Sequence, residues 1–156
     1  MRFSTVFAAA TAALSAGVEG YLVRVGLPKT IKLGDVWEAR VNTAIQQPRQ
    51  DLVVWGASPA GSTYPGSIGI EFARTKLDDA LSGGYNDTIP GLTIPEGLRI
   101  TPGEWSIQAV ILQWAGAAQQ PSLETYFWNV TIGDVTSEEL VWQVARGPQS
   151  TRCNLQ

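Results

Sequence analysis

Asp35-Val36-Trp37-Glu38-Ala39-Arg40-Val41-Asn42-Thr43 alternates. Trp37, Ala39, Val41 and Thr43 fall on one face, and Val36, Glu38, Arg40 and Asn42 on the other. A period of two marks a half-buried β-strand, because successive side chains point to opposite sides of a pleated backbone. Three further stretches repeat the pattern. Ser67–Ala73 sets Ile68, Ile70 and Phe72 against Gly69, Glu71 and Ala73. In Glu104–Trp114, Trp105, Ile107, Ala109 and Ile111 oppose Glu104, Ser106 and Gln108. Thr125–Ile132 sets Tyr126, Trp128, Val130 and Ile132 against Thr125, Phe127, Asn129 and Thr131. Ala109 to Leu112 is apolar on both faces, which predicts a central strand.

Working outward, the shorter runs Tyr21–Leu27, Leu52–Trp55 and Leu92–Ile94 bring the expected strands to seven. Turn residues separate them: Gly34-Asp35, Pro59-Ala60-Gly61, Pro65-Gly66, Gly83-Gly84, Pro95-Glu96-Gly97, Pro102-Gly103 and Gly133-Asp134. Short strands with closely spaced turns predict an all-β fold, an antiparallel immunoglobulin/fibronectin-like β-sandwich. The single cysteine, Cys153, excludes an intramolecular disulfide. Aromatic packing must substitute, with Trp37, Trp105, Trp128 and Tyr126 as the core candidates. Two regions break the alternation. Leu77, Ala80 and Leu81 in 74–86 have helical spacing and suggest one helical turn. Thr136–Val144 opens on a capping-box pattern, Thr136 with Glu139, and reads either as a short helix or as an edge strand.

Residues 1–20 have a different character. Arg2 precedes an apolar run from Val6 to Leu14, followed by Ser15, Ala16 and Gly17. That order predicts a secretory signal peptide with cleavage after Ala16, Gly17 or Gly20. The run is shorter than the about 20 residues that cross a bilayer. The expected organisation is therefore a signal peptide over 1–20, a β-sandwich over 21–136 and an extension over 137–156. No apolar C-terminal tail suggests a lipid anchor. The 156-residue chain carries 11 basic and 14 acidic residues, a net charge of −3, with both signs scattered. No basic patch invites nucleic acid or anionic lipid.

Chemistry is scarce. There is no histidine, the commonest general base near neutral pH, so a Ser-His-Asp triad cannot be built. Ser58 in Gly56-Ala57-Ser58-Pro59-Ala60 reads as a turn serine. Without His and with one Cys, zinc and copper sites are excluded, and Asp78, Asp79 and Asp87 lack EF-hand spacing. Glu71, Asp78, Glu104 and Glu124 are the acids available to a glycosidase-type pair, and nothing in their spacing joins them. No enzyme activity, cofactor or metal is expected. Two sequons are present, Asn86-Asp87-Thr88 and Asn129-Val130-Thr131, behind the signal segment. Asn86 and Asn129 are therefore candidate glycosylation sites, and the alternation puts Asn129 on the outward face of its strand.

Leu27 to Thr136 resembles the necrosis-inducing secreted protein family of fungal effectors. The likeness is carried by Leu27-Pro28-Lys29-Thr30-Ile31-Lys32-Leu33-Gly34-Asp35, by Tyr64-Pro65-Gly66-Ser67-Ile68-Gly69, and by Asn86-Asp87-Thr88 and Ile94-Pro95. Its most specific block is Asn129-Val130-Thr131-Ile132-Gly133-Asp134-Val135-Thr136-Ser137. Leu33 replaces a usual proline, 46–51 diverges, and 138–156 has no recognised counterpart. The resemblance implies a non-enzymatic, secreted extracellular effector; whether it acts outside the host plant cell or after uptake into it stays open. Its implied partners are plant immune receptor kinases and associated cytoplasmic kinases, with suppression of pattern-triggered immunity and, in some members, cell death.

Loops on a rigid sandwich are the usual place for recognition, and Arg and Tyr are favoured anchors. Gln47, Pro48 and Arg49 with Tyr64 and Pro65, read as two adjacent loops, are the candidate partner-binding residues of a monomer. The competing reading is a carbohydrate- or cell-wall-binding module. It would use Trp55, Trp114 and Trp142 as an exposed aromatic strip.

Overall fold

The computed structural model describes residues 20–45, 49–63, 67–77, 81, 87–115 and 117–144. The signal segment, Gln47, Pro48, Tyr64, Pro65, Asp78, Ala80, Asn86 and Cys153 lie outside them. Among the described residues there are nine strands: β1 (Gly20–Pro28), β2 (Thr30–Ile31), β3 (Val36–Ile45), β4 (Arg49–Pro59), β5 (Ile70–Lys76), β6 (Asp87–Thr93), β7 (Gly103–Ala115), β8 (Gln120–Ile132) and β9 (Leu140–Val144). They form a four-stranded sheet, β6-β3-β1-β9, and a five-stranded sheet, β2-β8-β7-β4-β5. The all-β sandwich is as the alternation predicts, and β7 is the central strand of the larger sheet.

The count rises from seven to nine because β2 and β9 escape a reading by alternation. β2 has two residues, too few to show a period, and it pairs with β8 in parallel, the one departure from antiparallel order among the described pairings. β9 resolves the choice left open at 136–144 in favour of an edge strand. It pairs with β1 from Arg24↔Val144 to Pro28↔Leu140. The expected capping box does not form. Thr136 Oγ1 instead donates to Asp35 Oδ2 at 2.9 Å, and Glu139 joins Lys29 at 3.0 Å. Of the stretch in which a helical turn is expected, 74–76 continue β5, paired as Val54↔Arg74 and Leu52↔Lys76, and 78–80 and 82–86 lie outside the described residues. Leu77 and Leu81 are buried.

The core lies between the sheets. Val53, Trp55, Ala57, Ile107, Ala109, Ile111, Tyr126, Trp128 and Val130 from the larger sheet meet Leu22, Val25, Leu27, Trp37, Ala39, Val41, Ile89 and Leu92 from the smaller. The four expected core aromatics are all buried. Trp128 is enclosed, its ring 5.7 Å from Tyr126 in a stacked pair and 6.0 Å from Trp55. Its indole N–H donates to the Val25 carbonyl at 3.1 Å, and Tyr126 Oη donates to the Leu22 carbonyl at 3.1 Å. These two bonds tie the sheets through the middle, and they satisfy the polar atoms that large buried aromatics bring inside.

Two of the blocks that carry the family likeness, 27–35 and 129–137, meet at one end. Thr30 N donates to Ser137 Oγ, Ser137 N to the Thr30 carbonyl, Gly133 N to the Ile31 carbonyl and Lys32 N to Thr136 Oγ1. The motif residues around Thr30 and Thr136 thus clasp β2 onto β8, a structural role.

Candidate interaction surface

The alternation rule for a sandwich predicts an apolar inner face and a polar outer face on each sheet. The smaller sheet obeys it across its middle, while Val36, 74% exposed, and Val144, 60% exposed, are apolar residues at the margins of its outer face. Its outer face carries Thr88, Glu38, Arg40, Asn42 and Arg24, with Trp142 laid flat across Gly26. The Arg24 guanidinium stands 4.5 Å from the Trp142 ring centre, a cation–π contact that covers the indole.

The larger sheet breaks the rule. Register places Lys76, Leu52, Leu112 and Leu123 in one cross-strand row and Arg74, Val54, Val110 and Thr125 in the next. A third row runs through Gly56, Gln108 and Phe127, and a row at the far edge holds Arg49, Trp114 and Pro121. These positions lie on the side opposite Val53, Ile111 and Tyr126, but in the third row Gln108 is fully buried and Gly56 is packed under Ile68, which leaves only Phe127 part-exposed there. Leu123 is 62% exposed, and Leu52, Val54, Val110, Leu112, Trp114 and Phe127 are half-buried. The result is a contiguous apolar surface edged by cations on β5. A patch of that kind on a soluble domain marks an interaction site.

The margin of this face is ordered by polar contacts. Asp51 is the extra residue of a bulge between Gln50 and Leu52. Its carboxylate accepts from Trp114 Nε1 at 2.6 Å and pairs with Arg49 Nε at 2.7 Å. Arg49 and Trp114 are thereby held at the edge of the apolar rows, and both are residue types enriched in binding hot spots.

Behind the same end, on the inner face, lies a buried polar cluster. Gln50 Nε2 donates to Gln113 Oε1 at 3.2 Å and Glu124 Oε2 at 3.3 Å, and Gln50 Oε1 accepts from Leu22 N at 2.8 Å. Tyr21 Oη reaches Glu124 at 3.4 Å. Glu124 is 1% exposed, and burial pushes its carboxyl up to about 7, opposed weakly by the Tyr21 hydrogen bond. Burial, and then the Glu124 charge, push Tyr21 up to about 12 and raise Tyr126 as well. Among the described residues, no cation pairs with Glu124.

Of the residues singled out from sequence, Arg49 borders the apolar face. Gln47, Pro48, Tyr64 and Pro65 lie outside the described residues. Asn129 is exposed on β8, on the outer side of the larger sheet; Asn86 lies outside the described residues. The proposed aromatic strip does not form. Trp55 is 1% exposed and opposes Ala109 in the core, while Trp114 and Trp142 lie on different sheets. The carboxylates do not gather either. Glu71 binds Arg74 at 2.6 Å, which holds it below the usual carboxylate range, Glu104 accepts from Thr131 on the outer face, and Glu124 is inside. Among the described residues, no group of three or more His, Cys, Asp or Glu side chains is arranged to hold a metal.

The comparison with known proteins decides the kinship: residues 18–131 match the model of the Nis1 family. The chain belongs to the Nis1 family. It is 33% identical over 143 residues to necrosis-inducing secreted protein 1 of Colletotrichum orbiculare, covering 90% of this chain and 86% of that one. Against the protein of the same name from Colletotrichum higginsianum, identity is 32% over 143 residues, covering 90% and 97%. The family match stops within β8, yet the sandwich continues: the clasp at 133–139 and the edge strand β9 follow it.

Proposed function

We propose that this protein is a secreted fungal effector that binds plant immune receptor kinases and their associated cytoplasmic kinases. By occupying them it suppresses pattern-triggered immunity, and in excess it provokes cell death. It acts as a monomer and without catalysis, outside the host cell and after uptake. Family membership supports the effector role, since the matched relatives bear the name necrosis-inducing secreted protein.

The observation that carries the binding reading is the apolar outer face of β4, β7 and β8. Leu52, Val54, Val110, Leu112 and Leu123 supply the area, and Trp114 and Arg49 are held at its edge. Protein interfaces take this form, an apolar centre within a polar rim containing aromatic and arginine anchors. The test is titration of the secreted protein against purified plant receptor kinase domains. Saturable binding that is lost in Leu112→Asp supports the reading. A panel of kinase domains that shows no binding contradicts it.

A further inference from the structure

We infer that Asn129 carries an N-linked glycan whose first sugar packs on the ring of Phe127. Three observations converge on this. Asn129-Val130-Thr131 satisfies the acceptor pattern, with no proline between. Asn129 is exposed, on the outer side of the larger sheet. Phe127 is its next neighbour on that side, two residues back along β8, and is half-buried in the row beside Gln108. Strand rise separates the two Cα atoms by about 6.6 Å, a distance the first sugar of an asparagine-linked chain spans.

The surroundings leave the acceptor free and the ring in need of cover. Side-chain bonds on this face run from Thr131 Oγ1 to Glu104 Oε1 at 2.7 Å and from Gln108 Nε2 to Ser58 Oγ at 2.8 Å; neither engages the Asn129 amide. Across the sheet from Asn129, Ser106 is buried, which closes that side and leaves the direction along β8 towards Phe127 available to the sugar. Sugar C–H groups are electropositive and the face of an aromatic ring is electronegative, so stacking the first N-acetylglucosamine on Phe127 is favourable. It also removes apolar ring surface from water.

The modification is a group transfer. The Asn129 Nδ2 attacks C1 of an N-acetylglucosamine carried on a lipid pyrophosphate. The N–C1 bond forms as the C1–O bond to the pyrophosphate breaks. The amide loses one proton, the lipid pyrophosphate leaves with the bonding pair, and nothing is oxidised or reduced. Transfer takes place on the secreted chain before β8 pairs with β7, so the Thr131–Glu104 bond does not obstruct it.

The glycan would bound the apolar surface. It covers the Phe127 end and leaves the leucine rows and Trp114 open. Its presence does not depend on what those rows bind, so its test is separate from the kinase titration.

The experiment uses the full chain secreted from a eukaryotic host. Intact-mass and peptide analysis of wild type, Asn129→Gln and Asn86→Gln locates each oligosaccharide. Loss of one glycan in Asn129→Gln is expected; an unmodified Asn129 peptide in the wild type overturns the proposal. Endoglycosidase trimming to the single N-acetylglucosamine then isolates the sugar that should touch Phe127. Its acetyl and ring protons should show an upfield ring-current shift that disappears in Phe127→Ser. Trimmed wild type should melt about 3 °C above Asn129→Gln, and this gap should close in the Phe127→Ser background. An unshifted sugar together with an equal gap in both backgrounds overturns the stacking.

Discussion

The two outer faces of the sandwich were built by the same rule and depart from it in different places: the smaller only at its margins, at Val36 and Val144, the larger through its centre. On the smaller sheet, Glu38, Arg40, Asn42 and Arg24 face solvent, and the one large ring, Trp142, lies flat beneath a guanidinium. On the larger sheet the corresponding positions are Leu52, Val54, Val110, Leu112 and Leu123. Both inner faces supply the same kind of core, so folding alone does not require the second apolar layer. An outer face that is apolar without structural need costs solubility, and that cost points to recognition. The comparison therefore separates residues that hold the molecule together from residues that the proposed function assigns to a partner.

The largest effect should come from the shared interior. Trp128→Ala removes a ring enclosed by Tyr126 and Trp55 and strands the Val25 carbonyl. A loss of about 3–5 kcal/mol is expected by urea unfolding. A loss below 1 kcal/mol would mean that the two faces do not share a core.

Next is the inner surface behind the leucine rows. Glu124 is pushed up to about 7, above the ordinary value of 4.5. Below pH 4.5 both folded and unfolded chains hold the proton. Between 4.5 and 7 the unfolded chain has ionised and the folded one has not, so stability falls by about 1.4 kcal/mol per pH unit. Above 7 the loss levels at about 3 kcal/mol. Glu124→Gln should therefore match the wild type at pH 4 and exceed it by up to about 3 kcal/mol at pH 8. Equal stabilities at both pH values would place the carboxylate in water. The groups facing Glu124 are Tyr21, Gln50 and Gln113, with Tyr126 beside it on β8, and neither tyrosine titrates in this window.

The smallest effect should be on the smaller sheet's outer face. Trp142→Ala removes a half-exposed ring and its contact with Arg24, at a cost of about 1 kcal/mol. Thermal unfolding of that variant should drop by only a few degrees, and kinase binding should be unchanged.

Much of this architecture is legible in the sequence, for reasons that also explain the failures. β3 and β8 alternate cleanly because each has one wet and one dry face. The apolar run Ala109–Leu112 correctly places β7 in the middle of its sheet, but position within a sheet says nothing about what covers its second face. Val110 and Leu112 are where those two meanings part. Trp55 was open to misreading because Leu52–Trp55 has no alternation of its own; only register against Ala109 puts it inside. Glu124 carried a usable signal. It continues the even-numbered series Tyr126, Trp128 and Val130, so the period alone points the carboxylate inward. The burial of Gln50 had no such signal, because it depends on the bulge at Asp51.

The most direct measurement pairs one charge on each outer face: Leu123→Asp on the larger sheet and Asn42→Asp on the smaller, each titrated against the same receptor kinase domain after matched stability is confirmed. Leu123 is 62% exposed, so its replacement should leave folding within about 0.5 kcal/mol. The account predicts that Leu123→Asp weakens binding at least about 30-fold, some 2 kcal/mol, while Asn42→Asp changes it less than about twofold. Binding that survives Leu123→Asp and fails with Asn42→Asp would contradict it.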